Sequence, residues 1–566
     1  MTTPVQGGPT TEERRAGKRL TMLVPDFPFP YGEFLAHPAG LGSVPADRHG
    51  TEVAVVGGGL AGMVAAHELM RLGLRPVVYE ADRIGGRMRS LRFAGPDTPV
   101  VDLGAMRFPV SARAFYHYVD LLGLATEPFP NPLDEDTPST VIELAGDRHY
   151  ARTLADLPPL FRNVDRAWRR CLDDEALFSH IQHAIVHRDL DEIKRLWNTL
   201  VPKLDDESFY GFISGSAAFA KVPYRYREIF GQVGFGTGGW DTDFPSSILE
   251  VLRVVCTAAD ARQRRILPGA IALPEGIWGR APERLVHWPK GTSLSTLHGA
   301  VPRPGVTAIR RGEGGTVVIR DRVGQERAYP AAIVTCQTWL LSAQIDCAEE
   351  LFSHQLWMAI ERSHYNQSSK TFVMVDRPFW RDVDPVSGEH LMSMTLTDRL
   401  TRGTYLFDDG PDRPASICLS YTWNDDALKW LSLSAHERVR LMLHSLGKIY
   451  PGVDIASHIR GEPITVSWEY DPNFMGAFRN NLPGHYRYQR RLFTHFMQAD
   501  MEPRHRGIFL AGDDISFTPG YAEGAVTTAL NAVWGVQRLL GGRSDPANPG
   551  PGDRFDRLQP LDLDRR

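Results

Sequence analysis

Cysteine is scarce in this sequence of 566 residues: Cys171, Cys256, Cys336, Cys347 and Cys418 lie far apart, are odd in number and form no C-x-x-C pair. That pattern supplies neither a disulfide framework nor a thiolate metal site, and it fits a reducing compartment. Runs of Lys and Arg are also missing. With 63 basic and 68 acidic residues the net charge is −5, spread along the chain, so nucleic acid finds no electrostatic footprint. No stretch reaches the ~18 uninterrupted apolar residues of a membrane span, and the N-terminus carries no apolar signal segment. The 19 histidines show no H-E-x-x-H or comparable ligand spacing. A soluble cytoplasmic protein is expected, with no metal, membrane or nucleic-acid partner.

What is present has an ordinary globular balance, 42% hydrophobic and 23% charged, which sets aside disordered and fibrous classes. The length exceeds what one core holds, so two or more lobes are expected, with room to bury a large cofactor. Residues 1–50 read as an extended N-terminal arm whose second half, rich in Pro, Gly and aromatics, is unsuited to a regular helix and lies on the body. Residues 542–566 mix Gly, Pro and charge and read as a surface tail. Between these ends, β-rich runs occur at 52–56 and 76–80, and helical periodicity at 60–72, 111–124, 157–200, 347–363 and 435–449. Residues 306–336 read as a three-stranded meander leading into a buried strand, and 507–540 as a strand, a Gly/Asp turn and a long helix of small residues. The first and last parts therefore share one domain, with another lobe inserted between them.

The run EVAVVGGGLAGMVAAHEL places Gly57, Gly59 and Gly62 in G-x-G-x-x-G spacing after an apolar strand and at the start of an amphipathic helix. Gly57 permits the tight turn, Gly59 lets backbone approach a pyrophosphate, and Gly62 lets the helix pack close to the sheet. A second strand, RPVVYE, ends at Glu80, whose carboxylate suits ribose hydroxyls. This unit alone would serve NAD or FAD. The following ADRIGGRMRS adds Gly85, Gly86 and Arg87, a glycine turn with a cation suited to a flavin-side phosphate or ribityl chain. The acidic residue, this turn and a C-terminal A-G-D strand end, Ala511, Gly512 and Asp513, together resemble the flavin amine oxidase superfamily, which implies FAD.

Other residues ask for a role on their own chemistry. Arg107, in GAMRFP, has apolar neighbours Met106 and Phe108 and suits either a bidentate carboxylate clamp or a structural ion pair. Lys370 sits in the apolar strand SSKTFVMV, where a charge must be paired or functional. Tyr421 and Trp423 fall on ICLSYTW, and Phe478 in GAF; such aromatics serve a core or line a pocket equally well.

A closer resemblance runs through LGAMRFP (103–109), GFGTGGWDTDFPSS (234–247), TCQTWLL (335–341), QSSKTFVMVDRPFW (367–380), LTDRLTRGTYLFD (396–408), GAFRNNLPGHYRY (476–488) and LNAVWG (530–535). These segments resemble the bacterial L-lysine 2-monooxygenase/L-amino acid oxidase family, related to arginine, tryptophan and phenylalanine 2-monooxygenases. The resemblance implies an α/β architecture: a Rossmann-type FAD-binding domain with a β-meander (51–110, 285–345, 500–541), a helical substrate-contacting segment (111–284) and an α+β substrate-binding lobe (346–499). It implies oxidation of a basic L-amino acid with O2 to the amide, CO2 and water, by a homo-oligomer. Alternatives are an oxidase giving 2-oxo acid, NH3 and H2O2 from a basic or aromatic amino acid, and a redox-silent FAD-bound scaffold.

By the same resemblance Arg107 binds the substrate carboxylate, and with Met106 it also belongs to the cofactor side. Lys370, Trp423 and Phe478 are the catalytic positions beside the flavin, Lys370 holding a water near N5, and Tyr421 and Tyr521 join the substrate pocket. Asp243 matches the aspartate that recognises a basic side chain, with Asp241 as its neighbouring alternative. Two departures stand out: Tyr521 replaces a family tryptophan, which opens the substrate choice toward arginine, and Ala259 replaces a cysteine that influences the oxidase-to-oxygenase balance.

Overall fold

The computed structural model describes residues 21–225, 227, 230, 245–282 and 285–565; Asp241 and Asp243 lie outside the described residues. A five-stranded parallel sheet is assembled from distant parts of the chain, in the order Arg303–Pro304, Arg75–Glu80, Glu52–Val56, Ala332–Val334 and Ile508–Leu510. Val53, Val55, Ile333 and Ile508 are fully buried, as a sheet covered on both faces requires. The helices Leu60–Arg71 and Ala522–Leu539 pack together on one side of it. Small residues allow that approach: a Cβ on Gly535 would come within 2.4 Å of the Phe509 ring. The meander is present as antiparallel strands Val306–Arg311, Val317–Asp321 and Glu326–Tyr329, delivering the chain into the buried strand Ala332–Val334. No helix of the described residues is long and apolar enough to cross a membrane.

The other large sheet has seven strands and holds Ser368–Val375 between Ile459–Ser467 and Ala415–Trp423. Alternation splits Ser368–Val375 between two cores: Phe372 and Met374 face Tyr405 and Phe407, while Val373 and Val375 face Met442 and Leu446 of the helix Ala435–Ile449. Its neighbour does not alternate cleanly. Thr371 pairs with Ser420 but Phe372 pairs with Cys418, so Leu419 is an extra residue, a β-bulge. Ala415, Ile417 and Leu419 face the second core, and the bulge then turns Tyr421 to the face that carries Cys418.

Three segments differ from the sequence reading. The periodicity at 157–200 is three helices, Pro159–Ala176, Phe178–His187 and Leu190–Leu204, broken where Leu177 (φ 52°) and Arg188 (φ 57°) turn left-handed. In the described part of the arm, residues 21–50, Tyr31–Ala36 form a short α-helix and Ala46–Arg48 a 3-10 turn. The C-terminal residues are not a surface tail. They lie across Trp534, where a Cβ on Gly552 would sit 2.1 Å from the ring, and they bury Leu558 completely. Their glycines serve close approach to an aromatic ring, the same composition that looser segments use for freedom.

The arm is held by charge as well as by its aromatics. Asp26, fully buried, accepts from Arg253 Nε at 2.7 Å and Nη2 at 3.0 Å and from Trp197 Nε1 at 2.9 Å. Arg253 also donates to Glu250 at 2.6 Å, closing a buried network beneath the helix Ile248–Cys256. Removing one member of such a pair typically costs about 3–5 kcal/mol. Asp26→Ala is expected at about 3 kcal/mol, the lower end, because Glu250 still meets Arg253. The checks are a lowered thermal midpoint and earlier proteolytic loss of the arm; an unchanged midpoint would refute the anchoring role.

Candidate active site

The carboxyl end of the parallel sheet and the strands Ser368–Val375 and Ala415–Trp423 share a cavity of about 500 Å³. At its sheet end Gly57 turns with φ 110° and donates its N–H to the Tyr79 carbonyl at 2.8 Å. Gly62 does not line the cavity. A Cβ there would fall 1.9 Å from the Gly57 carbonyl oxygen, so the helix can start this close to the turn only with glycine. Gly59 is the reverse case, since a Cβ there would meet nothing within 4 Å. Open space thus stands at the N-terminus of the helix Leu60–Arg71, where anions are favoured.

Glu80 accepts the N–H groups of Gly58 at 2.6 Å and Asp82 at 2.8 Å, one on each carboxylate oxygen, leaving further lone pairs for hydroxyls. Burial pushes its carboxyl up, against those backbone bonds. Gly85 and Gly86, both left-handed, bring the second turn against the first, with Gly85 N–H on the Gly58 carbonyl at 2.9 Å. Arg87 then spans to the third motif: it pairs with both oxygens of Asp513 and donates to the Ala477 carbonyl at 2.9 Å. Asp513 also accepts Gly520 N–H at 3.0 Å, and Gly512 N–H reaches Thr528 Oγ1 at 2.9 Å. The three sequence motifs therefore converge on one cavity, and Gly57, Gly59, Glu80, Gly86, Arg87, Met106, Gly512 and Asp513 all line it. These residues fit FAD: Glu80 would hold a ribose, and Gly59 with the helix N-terminus would take the pyrophosphate.

Arg107, Lys370, Tyr421, Trp423, Phe478 and Tyr521 line the same cavity. The Arg107 guanidinium lies among aromatic faces, 5.7 Å from Phe129, 5.8 Å from Tyr405 and 5.5 Å from Tyr421. Its hydrogen bond to the Tyr405 hydroxyl is long, 3.4 Å, and no carboxylate of the described residues pairs with it. Aromatic faces offset part of the cost of burying that cation, and a ligand carboxylate would complete it. Tyr421 stands edge-on to Trp423 at 5.5 Å, and Trp423 edge-on to Phe478 at 5.3 Å, forming an aromatic wall.

Lys370 is 2% exposed and donates to the carbonyls of Gly104 at 2.6 Å and Asp102 at 3.2 Å, with Nζ 4.8 Å above the Tyr421 ring. Burial pulls its ammonium down to about 7. A neutral amine that spends both N–H groups on these carbonyls keeps one lone pair, available to a proton or water in the cavity.

Sequence reasoning missed several lining residues, among them Glu250, Asp260, Thr335, Gln337, Trp468 and Arg479. Trp468 Nε1 donates to the Leu103 carbonyl at 3.2 Å, and Arg479, fully buried, donates to the Asp514 carbonyl at 3.0 Å. Thr335, Gln337 and Arg479 lie within TCQTWLL and GAFRNNLPGHYRY, but no fixed spacing singles out any of the six. The usable signal was a charged residue in an apolar stretch, which Glu250 and Arg253 carry in ILEVLRVVC as plainly as Lys370 does in its strand.

The family model of flavin containing amine oxidoreductases matches residues 60–537. A tryptophan 2-monooxygenase of Pseudomonas savastanoi is 32% identical over 558 residues, 93% of this chain and 96% of that protein. One from Pantoea agglomerans pv. gypsophilae is 29% identical, over 89% of this chain and 91% of its own length. Among solved structures, a putrescine oxidase bound to putrescine superposes with a TM-score of 0.62 at 17% identity, covering 85% of this chain and 98% of that one. Cyclohexylamine oxidase from Brevibacterium oxydans IH-35A gives 0.61 at 18% identity, over 87% and 99%.

Two outcomes follow from the site itself. Because only open space meets a side chain at position 59, Gly59→Val should fold with a near-native circular dichroism spectrum yet purify with little bound flavin; a fully yellow variant would contradict the pyrophosphate assignment. For Lys370, the lone pair is free above pH 7 and protonated below it, so the rate of flavin reduction should rise through about pH 7. Lys370→Met should flatten that limb, and a profile unchanged by the substitution would remove Lys370 from the chemistry.

Proposed function

Since the chain belongs to the flavin containing amine oxidoreductases and so uses FAD, we propose that it oxidises the Cα–N bond of a basic L-amino acid, L-arginine or L-lysine, with O2. The products are the corresponding amide, CO2 and water. The observation that carries this reading is Arg107: a buried guanidinium held among Phe129, Tyr405 and Tyr421, facing the cavity, with no carboxylate partner among the described residues. An α-carboxylate is the bidentate ligand that such a cation lacks.

FAD, when bound, accepts the two electrons and makes O2 chemistry available. The protein's share is orientation and exclusion of water. Arg107 fixes the carboxylate, so one pose presents Cα to the cofactor, which is where much of the rate advantage of an enclosed site arises. Tyr421, Trp423 and Phe478 wall the reacting centre, and Lys370 in its neutral form offers a lone pair to a proton or to a water beside it. Asp243 remains the proposed partner of the basic side chain. Enclosure decides the product: an imino acid kept inside is oxygenated and decarboxylated to the amide, whereas one that escapes is hydrolysed to the 2-oxo acid and ammonia, with H2O2 released.

A second reading is supported by the names of the sequence relatives, both of those above being tryptophan 2-monooxygenases, and by the aromatic wall, which would also flank an indole. Anaerobic bleaching by L-arginine, L-lysine and L-tryptophan, followed by mass analysis of the aerobic products, separates the two. Bleaching by tryptophan alone would replace the basic substrate. With the preferred substrate, Arg107→Ala should lower kcat/KM by about a thousandfold, the loss of a desolvated charge-assisted pair, and Arg107→Lys by less. Wild-type kcat/KM in Arg107→Ala would end the carboxylate-clamp assignment.

A further inference from the structure

With no carboxylate of the described residues to fix its guanidinium, Arg107 takes its aim from the backbone that carries it. That backbone leads at once into the short strand Phe108–Pro109, which is gripped by the start of the helix Arg113–Leu122. The Phe115 ring stacks on Phe108 at 4.6 Å and 12°, the Tyr116 hydroxyl donates to the Phe108 carbonyl at 2.9 Å, and Ala112 N–H donates to the Pro109 carbonyl at 3.0 Å. The placement of the clamp is thus inherited from the first turn of this helix.

That first turn has no cap of its own. Its N-cap is Ala112, which brings no side-chain oxygen, and the orphan N–H groups of Ala114 and Phe115 are met instead by Glu523, at 3.1 Å to Oε1 and 2.7 Å to Oε2. Glu523 is 5% exposed and comes from the far end of the chain, in the first turn of the helix Ala522–Leu539. Tyr521, two residues earlier, is the N-cap of that helix and lines the cavity with Arg107. The start of the helix is itself packed on the turn that follows Asp513, since a Cβ on Gly524 would fall 2.3 Å from Ser516 Oγ and 2.8 Å from the Thr518 carbonyl. One carboxylate therefore fastens the segment that aims Arg107 to the segment that carries Tyr521.

Resting on the reading of Arg107 as the carboxylate clamp, we propose that Glu523 is a positioning residue: by capping the helix Arg113–Leu122 from outside, its carboxylate holds Arg107 where it meets the substrate. The charged groups packed around it are Arg113 of the capped helix and Glu33 of the helix Tyr31–Ala36, which meets Arg113 at 2.7 Å and Arg188 at 2.8 Å; the Tyr31 phenol also lies within reach of its charge. Glu68 of the helix Leu60–Arg71 is closed on Arg71 and Tyr118. Burial, above all, pushes the Glu523 carboxyl up to about 7, against the pull of the two N–H groups and Arg113, and Glu33 adds to the rise. Above pH 7 both oxygens accept; below it one carries a proton and gives up an N–H, so the cap weakens as pH falls.

The test is anaerobic flavin reduction at varied concentrations of whichever of L-arginine, L-lysine and L-tryptophan bleaches the wild type, which separates apparent Kd from limiting rate. Glu523→Gln keeps the shape but offers one acceptor oxygen to two N–H groups. It is expected to raise the apparent Kd by about tenfold and to leave the limiting rate within about threefold. In the wild type the Kd should rise by a similar factor as pH falls through about 7, and in the variant it should be flat there, while the Lys370 limb of the reduction rate persists in both. An unchanged Kd, a limiting rate that falls as far as the affinity, or a pH-dependent Kd in the variant would each overturn the proposal. Where the glutamine variant does not fold, a wild-type Kd that is flat through pH 7 overturns it without any substitution, and one that rises on acidification supports it. Wild-type kcat/KM in Arg107→Ala would remove the clamp reading and this inference with it, whereas a crippled Arg107→Ala beside an unaffected Glu523→Gln would sink this inference alone.

Discussion

The site is closed by one ion pair. Arg87 and Asp513 are 426 residues apart in sequence, yet the guanidinium of one meets both carboxylate oxygens of the other and reaches on to the Ala477 carbonyl. Each partner sits at the end of a separate glycine turn, so the pair ties the first βαβ unit to the last strand and both to the segment bearing Phe478. Because Asp513 also accepts Gly520 N–H, the same carboxylate orients the loop that leads to Tyr521. Cofactor cradle and substrate pocket are in this sense one construction.

The parts of the site that were legible in the sequence are those whose chemistry is local. Gly57, Gly62 and Glu80 declare themselves because a tight turn, a close helix and a strand-end acid have fixed spacing, and the structure brings them together at one sheet end. Lys370 was legible as a charge in an apolar strand. The direction of Tyr421 was not: strict alternation along Ala415–Trp423 would put it with Ile417 and Leu419, and the bulge that reverses it depends on pairing with two other strands. Asp260 carried no signal because its turn arises from backbone signs at Ala258 and Arg262, residues with no marked turn preference. The C-terminal glycines misled for a related reason, since composition alone does not tell freedom from contact with Trp534.

Buried charge is handled in two ways within a short distance. Asp26, Arg253 and Glu250 satisfy one another and act as structure, whereas Arg107 and Lys370 are left with aromatic faces and carbonyls. The helix Ile248–Cys256 carries both Glu250 and Arg253, so the paired network that anchors the arm also reaches the cavity lining. A protein keeps such groups unpaired at a cost in stability, and that cost is offset where a ligand supplies the missing partner.

The arm adds a constraint of time. Its Tyr31 hydroxyl bonds to Asn531 at 2.8 Å, its Phe34 carbonyl to Asn548 at 3.0 Å, and its Phe27 ring packs 6.1 Å from Phe555. On the ribosome these aromatics emerge some 500 residues before their partners, so the segment stays uncovered while all of that chain is made. Such end-to-end contacts carry a large loop-closure entropy and are among the slow steps of folding. A chain that lacks the helix Ala522–Leu539 and the residues after it therefore leaves the arm's aromatics without their partners, exposed to association with other chains.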